Sequence, residues 1–443
     1  MIGRKKYTFP GGTHVEEHKD TASLATVRLP EPATVSIPLS QHIGAHATPI
    51  VGKGDYVKVG QVIGEITNGL GCPVHASISG TVKEIVTRHN AQGTPIQNVV
   101  IENDFEHAMC EDIKPWGKPL AETSAEEIIG IVRQAGISGL GGATFPTYAK
   151  IQSAIGKATC VIINCAECEP YITANHRLLL ERGTAVIGGL EVLMHALNVK
   201  EGILAVEDNK PDAIKLLKAA TADKPDIRVC VMKTKYPQGD ERQLIKAIYK
   251  KEIPAGKLPA DVGCMIVNAE TSAAISRAFY RGLPLVSRIV TVTGDCVKEP
   301  KNVRSPLGAS YRELIAFCGG TVRPIKKLVS GGPMMGQAQW DLDAPVTKGT
   351  SALLCFSEEA DKINTYHTAC LHCGYCVEHC PMHLMPNYLA QYGSARRYDE
   401  AAKMDVMSCV ECGTCTYNCP AGVPIVQYIR VTKGALRAKT AKK

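Results

Sequence analysis

The sequence predicts a multidomain α/β and α+β protein: an N-terminal β module, a parallel α/β layer, a compact α+β module and a C-terminal helical domain. Three observations carry this. Glycine-punctuated β-forming text fills 34–104, strand-like and helix-like runs alternate over 121–250, and one cysteine pattern occurs twice between 370 and 420. A chain of 443 residues is longer than one hydrophobic core supports, so several domains are required. The boundaries read as 1–115, 116–283, 284–350 and 360–430, with a basic tail over 431–443.

In the first module, Val57, Val59, Val62 and Ile63 are close-spaced β-formers flanked by Gly54, Gly60 and Gly64, which suits a small barrel or sandwich. The pattern resembles the barrel-sandwich domain of lipoyl and biotinyl carriers, which present a modified lysine at a hairpin tip. The matching stretch here, Pro73-Val74-His75-Ala76, has no lysine, so the module reads as structural. In the second, SAEEIIGIVRQAG is an amphipathic helix with Ser124 as N-cap, since a serine oxygen can accept from the free first-turn amides. ATCVIINC, GILAVED and IRVCVMKT read as strands, with RLLLERGTAVIGGLEVLMHALN and DAIKLLKAAT as the helices between them. That alternation implies a mostly parallel sheet, with ligands beyond the carboxyl ends of its strands. From Pro284 to Trp340 the text suggests two strands, one helix (SYRELIAFC) and a return strand.

Composition is that of a globular protein, 45% hydrophobic and 21% charged. No apolar run approaches the roughly 18 residues a bilayer-spanning helix needs, and MIGRKKYTFPGGTH lacks the apolar stretch of a signal peptide, so a cytoplasmic setting is expected. The net charge is +7, and Arg430, Lys433, Arg437, Lys439, Lys442 and Lys443 lie in a stretch without acidic residues. Such a tail reads as a solvated end, with acidic lipid headgroups or an acidic partner as the alternative. No helix-turn-helix or finger spacing supports nucleic-acid binding. Eighteen cysteines without a secretion signal argue against a disulfide framework. Those outside the repeated pattern, including Cys72, Cys110, Cys230, Cys264 and Cys318, read as small buried hydrophobes.

The repeated pattern is C-x-x-C-x-x-C-x-x-x-C-P. It runs once through Cys370, Cys373, Cys376 and Cys380, and again through Cys409, Cys412, Cys415 and Cys419. This is the spacing of two [4Fe–4S] clusters, in which three closely spaced thiolates wrap one cubane and the fourth reaches the other. Cys370, Cys373, Cys376 and Cys419 are assigned to one cluster, and Cys409, Cys412, Cys415 and Cys380 to the other. Zinc also takes C-x-x-C pairs, but two zinc sites need neither duplicated triplets nor a terminal C-x-x-x-C-P. His372, His379 and His383 read as bystanders. The segment between the runs looks helical, favouring a helical ferredoxin arrangement. Cys165-x-x-Cys168 has no second pair nearby in sequence and reads as incidental packing.

Four glycines, Gly136, Gly139, Gly141 and Gly142, crowd seven positions before Phe145-Pro146-Thr147, with Lys150 just beyond. Such a loop lets backbone amides close on a phosphate or a ring face, although it lacks the spacing and strand-first context of a Rossmann fingerprint. Three polar segments join it: Asn164-Cys165-Ala166-Glu167-Cys168-Glu169-Pro170, Tyr236-Pro237-Gln238-Gly239-Asp240-Glu241 and Val267-Asn268-Ala269-Glu270-Thr271.

Together these segments resemble the NADH-oxidising flavoprotein subunit of respiratory complex I, which binds FMN and stacks NADH on it. The resemblance implies a complex-I-flavoprotein-like α/β FMN/NADH domain, with the module after Pro284 similar to an SLBB β-grasp domain. A barrel-sandwich domain in front and a double [4Fe–4S] domain behind make the order similar to that of the RnfC family of Rnf complexes, membrane-associated ferredoxin:NAD oxidoreductases. Carried onto this sequence, Gly139, Gly141, Gly142 and Lys150 match the nucleotide loop. Asn164, Glu167 and Asn268 match flavin-contacting positions, and Glu169, Tyr236 and Glu241 match positions near NADH. The sequence departs at Ala166, where the complex I pattern has Asp, and at Asp240, which replaces a Glu.

The resemblance implies FMN, NAD(H) and two [4Fe–4S] clusters as the working groups. It also implies other Rnf subunits, and ferredoxin through them, as partners, and a peripheral position on the cytoplasmic face of the bacterial membrane. Hydride transfer to a flavin requires no general base, so no catalytic acid–base residue is named. Two rival readings are a cobalamin reductase of bacterial microcompartments, built from the same parts in another order, and a non-catalytic electron relay.

Overall fold

The computed structural model describes residues 6–360 and 368–441. Its centre is a four-stranded parallel sheet, in the order Ile227–Met232, Glu201–Glu207, Cys160–Cys165, Cys264–Asn268. In chain order the sheet grows outward from Cys160–Cys165 through the next two strands, then the chain crosses back to lay Cys264–Asn268 on the other side. The switch point therefore falls between Cys160–Cys165 and Cys264–Asn268, where open α/β sheets bind ligands. Asn164 and Asn268 are register partners at the carboxyl end of that pair. The sequence places apolar residues throughout these strands because both faces are covered. One face packs on the helices Ala125–Gln134, Ala174–Leu197 and Ala269–Arg281, around Ile128, Leu190, Leu193 and Ile275. The other packs on Glu241–Tyr249, around Leu244, Ile245 and Ile248. Ser124 caps the first helix in a capping box with Glu127, each side chain satisfying an otherwise free amide of the first turn.

The N-terminal module is a sandwich. A four-stranded antiparallel sheet (Thr34–Pro38, Pro95–Asn103, Gly80–His89, Tyr56–Val57) faces a three-stranded one (Thr48–Pro49, Val62–Glu65, Val74–His75). Alternate residues Val35, Ile37, Val82, Val99 and Ile101 fill its core, as a sheet with one buried face requires. Val74 and His75 are buried, so the stretch that carries lysine in acyl carriers is interior here.

The α+β module is larger than the two strands, helix and return strand read from sequence. Its six-stranded sheet runs Val27–Arg28, Lys301–Pro306, Ser287–Thr293, Ala352–Phe356, Lys327–Ser330, Gln337–Gln339, with Tyr311–Phe317 as its helix. One edge comes from far upstream, Val27 pairing in parallel with Val303. Another strand, Ala352–Phe356, lies beyond the 350 boundary.

The cluster domain repeats its backbone as well as its sequence. His372 and Glu411 are left-handed at φ 54° and 56°, Gly374 and Gly413 at 83° and 84°, and each pair leads into a four-residue helix, Tyr375–Glu378 or Thr414–Tyr417. Pro386–Ser394, Tyr398–Lys403 and the long Ile425–Ala441 complete it. That last helix corrects the reading of a solvated basic tail. Arg430 and Lys433 pair with Glu411, Lys439 pairs with Asp399, and Lys433 is buried. The acidic partners lie outside the segment, so its own composition could not show them. Lys442 and Lys443 lie outside the described residues.

The first thirty residues also depart from a simple sandwich domain over 1–115. Tyr7 bridges to Met232 at the sheet edge and Thr13 to Tyr236. Between them Gly12 donates its amide to the His379 carbonyl at 2.9 Å, so this strap joins the central sheet to the cluster domain. Gly11 has φ 73°, and a Cβ there would lie 2.8 Å from the Cys380 carbonyl oxygen. Alanine at 11 is expected to cost about 1–2 kcal/mol for the left-handed backbone alone, with more for the contact. Gly11→Ala should lower the thermal midpoint and the iron retained after desalting; a variant indistinguishable from the parent on both would show that the strap does not hold the two domains together.

Candidate functional site

All ten residues predicted for nucleotide binding line one cavity of about 1360 Å³. Gly139 is held by its amide on the Phe145 carbonyl at 2.9 Å. Gly141 lies so close to Asn268 that a Cβ would sit 2.9 Å from the asparagine nitrogen, whereas beside Gly142 nothing lies within 4 Å. The loop is therefore pinned at one glycine and open to the cavity at the next. Asn268 caps the helix Ala269–Arg281, its Oδ1 accepting from the Glu270 and Thr271 amides. Asn164 ties the neighbouring loops together, donating Nδ2 to the Gly239 carbonyl at 2.7 Å. Lys150, half-buried, forms an ion pair with Glu241 across the mouth.

The two acidic residues of the 164–170 loop are engaged by backbone amides. Glu167, left-handed at φ 55°, accepts from Asn175 at 2.6 Å and His176 at 3.0 Å and so caps the helix Ala174–Leu197. Glu169 accepts from Met334 and Met335 at 3.0 and 2.9 Å; burial nevertheless pushes its carboxyl up to about 7.

The loop itself hangs on two lysines that sequence reasoning missed. Lys19 donates to the Glu167, Glu169 and Ile172 carbonyls at 2.9, 2.7 and 2.6 Å. Lys210 donates to the Ala166 carbonyl at 2.6 Å while paired with buried Glu207. No local signal marks Lys19, whose partners are distant carbonyls; Lys210 has side-chain partners close by in Glu207 and Asn209, but its hold on the Ala166 carbonyl is long-range and carries no local pattern. Cys168 also lines the cavity, its sulfur accepting from the Gly239 amide at 3.3 Å. Cys165 is buried and burial pushes its thiol up.

Tyr236 connects this cavity to the cluster domain. Its ring is buried and its hydroxyl donates to the Cys412 carbonyl at 2.6 Å, while Val410, Glu411 and Cys412 form part of the cavity wall. Cys370, Cys373, Cys376 and Cys419 line a second cavity of about 210 Å³. Cys380, Cys409, Cys412 and Cys415 gather on the side nearer Tyr236: burial first, then the neighbouring thiols of Cys412, Cys409 and Cys380, push the Cys415 thiol up, and Cys376 of the other set adds to it. The two sets thus adjoin, each built from three cysteines of one run and the last of the other. Cys110 is half-buried, unlike the buried hydrophobe read for it, whereas Cys72, Cys230, Cys264 and Cys318 are buried.

The residues fit the groups that this chemistry calls for. Four thiols around a space larger than one ion suit a cubane. Thr147 and Arg288 line the larger cavity, and Thr147 Oγ1 and Arg288 Nε are buried without a partner. Buried polar groups ordinarily have a hydrogen-bond partner, and a ligand seated in the cavity would supply one.

A switch-point cavity joined to two adjoining four-cysteine sets defines a flavin- and iron–sulfur-containing electron-transfer protein. Residues 132–277 match the Nuo51 FMN-binding domain, 7–106 the RnfC barrel sandwich hybrid domain, 289–338 the SLBB domain and 359–424 the 4Fe-4S dicluster domain. The chain is 44% identical to the C subunit of the Na(+)-translocating ferredoxin:NAD(+) oxidoreductase complex of Acetobacterium woodii, over 99% of each chain. Identity to the proton-translocating counterpart of Clostridium ljungdahlii is 43%, over 97% of this chain and 94% of that one. For the C subunit of the ion-translocating oxidoreductase complex of Vibrio cholerae it is 37%, over 91% of this chain and only 52% of that longer protein. The chain belongs to this family, the C subunits of Rnf-type ion-translocating oxidoreductase complexes. Among solved structures, NAD+-reducing [NiFe]-hydrogenase in its H2-reduced state shares the fold at TM-score 0.51 and 17% identity, over 71% of this chain and 63% of that one.

The contact at Gly141 yields a direct test. Gly141→Ala should push Asn268 from its cap and lower the FMN retained on gel filtration by an order of magnitude, with the clusters intact by visible absorbance. Full FMN retention would mean that the loop yields without cost.

Proposed function

We propose that this chain is the NADH-oxidising, or in reverse NAD-reducing, electron-input subunit of a membrane-associated Rnf-type ferredoxin:NAD oxidoreductase, in a complex that couples electron flow to ion translocation. The observation that carries this reading is the single cavity whose walls include both the glycine loop and Cys412, joined through the Tyr236 hydroxyl at 2.6 Å. Bound FMN would supply the conversion between a two-electron hydride donor and one-electron carriers.

The chain's own residues supply position and field. Gly139, Gly141 and Gly142 would present backbone to the ligand, and Lys150, now paired with Glu241, would offset the charge of its phosphate. Asn164 and Asn268 would hold the flavin at the switch point, and Glu169, Tyr236 and Glu241 would border the nicotinamide. Cys409, Cys412, Cys415 and Cys380 would hold the cluster nearer the flavin, and Cys370, Cys373, Cys376 and Cys419 the farther one. Among the described residues no helix is long and apolar enough to cross a membrane. In this reading the chain sits at the cytoplasmic face of the bacterial membrane through the iron–sulfur and membrane subunits of its complex, exchanging electrons with ferredoxin through them.

Crossed ligation is read from iron content in double variants. Cys370→Ser with Cys419→Ser should leave about four irons, one cluster's worth, whereas Cys409→Ser with Cys419→Ser should leave almost none. The reverse pattern would assign each run to its own cluster. The activity itself is tested anaerobically on protein reconstituted with FMN and clusters. Added NADH should bleach the flavin band and then the broad cluster absorbance, and Tyr236→Phe should slow the second phase several-fold more than the first. If NADH leaves the spectrum of the intact protein unchanged, the chain is a relay or uses another donor.

A further inference from the structure

Four arginines gather where the six-stranded sheet meets two helices of the central domain, and the carboxylates around them are already taken. Arg28 and Arg304 are register partners on the neighbouring parallel strands Val27–Arg28 and Lys301–Pro306. Their side chains therefore leave one face of the sheet, on strands about 4.8 Å apart. Ile289, the register partner of Arg304 on its other side, shares that face and belongs to the core built around Leu190 and Ile275, so the face is the one turned to Ala174–Leu197 and Ala269–Arg281. The Ile289 amide donates to Glu270 at 3.0 Å, and Arg277 follows Glu270 two turns along the same helix face. From the other helix, Glu181 accepts from the Thr26 amide at 2.8 Å. That contact brings Arg182, at which the helix kinks (φ −144°, ψ 32°), beside the strand that carries Arg28. Glu270 is held by Arg288 and Glu181 by Arg177, while Glu31, the partner of Arg28, also meets His107. Among the described residues, the side chains of Arg182, Arg277 and Arg304 have no hydrogen-bond or ion-pair partner. Burial first, then Arg277 and Arg182, push Arg304 down to about 10, against Glu270 and with Arg28 adding to the effect. Solvent reaches the cluster: Arg28 and Arg182 are exposed, Arg277 and Arg304 half-buried.

We propose that this cluster binds a phosphate group, carried by a small soluble compound or by a phospholipid headgroup, between Arg182, Arg277 and Arg304, with Arg28 at the rim. A guanidinium does not shed its proton under ordinary conditions, so an anion, and not neutralisation, relieves the repulsion. Its planar fork matches phosphate oxygens bidentately, and a phosphate presents oxygens on several sides where a carboxylate presents two on one. None of the four arginines lines the nucleotide cavity, so the site is separate from it and does not depend on which nucleotide the cavity takes. A ligand here would fasten the strand Val27–Arg28 and its sheet to the kinked helix.

The test uses the full chain with FMN and clusters bound, and inorganic phosphate as the probe, against sodium chloride at equal ionic strength. Phosphate should raise the thermal midpoint saturably, as a ligand of the folded state does. Arg277→Gln with Arg304→Gln should lose that response, yet melt higher than the parent in chloride because two like charges are gone; side chains with a merely structural role would shift the midpoint the other way. By calorimetry, Arg182→Gln, a change at an exposed position, should weaken phosphate about tenfold, the scale of one charged hydrogen-bonding partner. Bleaching of the flavin by NADH should be the same in parent and variants. Vesicles of phosphatidylcholine with phosphatidylglycerol separate the two sources. Co-sedimentation of the parent but not the double variant, with phosphate competing, assigns a lipid headgroup; phosphate binding by a parent that ignores the vesicles assigns a soluble compound. Responses to phosphate and vesicles that are equal in parent and variants, or absent from the parent, would overturn the proposal. So would binding of poly-glutamate that the double variant loses, in a parent without any phosphate response, since the cluster would then be a dock for an acidic protein segment.

Discussion

The arrangement depends on one junction, at Tyr236. Its backbone is paired on both sides with Thr13, each amide donating to the other's carbonyl at 2.8 Å, and its hydroxyl reaches the Cys412 carbonyl. Thr13 in turn donates to Asn418, and Gln243, in the first turn of the next helix, donates to the Pro381 carbonyl at 3.2 Å. Both cysteine runs are thereby fastened to the segment 236–243, which also supplies the cavity with Gly239 and Glu241. A phenol with its hydroxyl satisfied tolerates full burial, so the contact can be dry. Without it the cluster domain would be a tethered neighbour; with it, cavity and cluster domain share a wall.

The same region shows why buried charge is tolerated. Burial lowers the Lys19 amine and raises the Glu207 carboxyl, the direction expected when a charged form loses water. Each is compensated locally, Lys19 by three carbonyls and Glu207 by Lys210. Such pairs add little net stability against a well-packed apolar alternative. They fix the path of the 164–172 loop, in which Glu167 and Tyr171 are left-handed. Arg288 and Glu270 do the same across the α+β interface, where the guanidinium also donates to the Leu140 carbonyl of the glycine loop at 3.0 Å.

Local period and capping revealed the helices Ala125–Gln134 and Ala174–Leu197 and the inner strands, because those patterns repeat within one element. The cysteine runs were legible because ligand spacing is itself local, and the polar strand ends because a switch point concentrates them. The strap from Tyr7 to Thr13, the edge strand Val27–Arg28 and the two loop-holding lysines were not legible. Their partners lie hundreds of residues away in several cases, and a two-residue strand or a lone lysine has no period. Nothing in the sequence singled out the hairpin from Arg88 to Gln92, since only the packed structure brings it over Gln337.

The C-terminal helix extends that limit to electrostatics. Its cations form a block in sequence, yet Lys433 reaches the Cys409 carbonyl at 2.8 Å, and Glu411 sits between Arg430 and Lys433. Burial alone would raise the Glu411 carboxyl; the two cations outweigh it and hold the group below its ordinary value. Glu411 occupies the backbone position that His372 fills in the other run, with the same left-handed φ. The duplicated scaffold therefore presents two different residues at matching positions, a paired carboxylate on the cavity side and an imidazole on the other. Charge and hydrogen bonding around the sulfurs are among the levers that set cluster potential. Two cubanes held on these near-identical backbones would thus differ in the charge beside them at this position, and in a sulfur hydrogen bond at another, where Thr414 meets the Cys412 sulfur and Tyr375 stands in the first run.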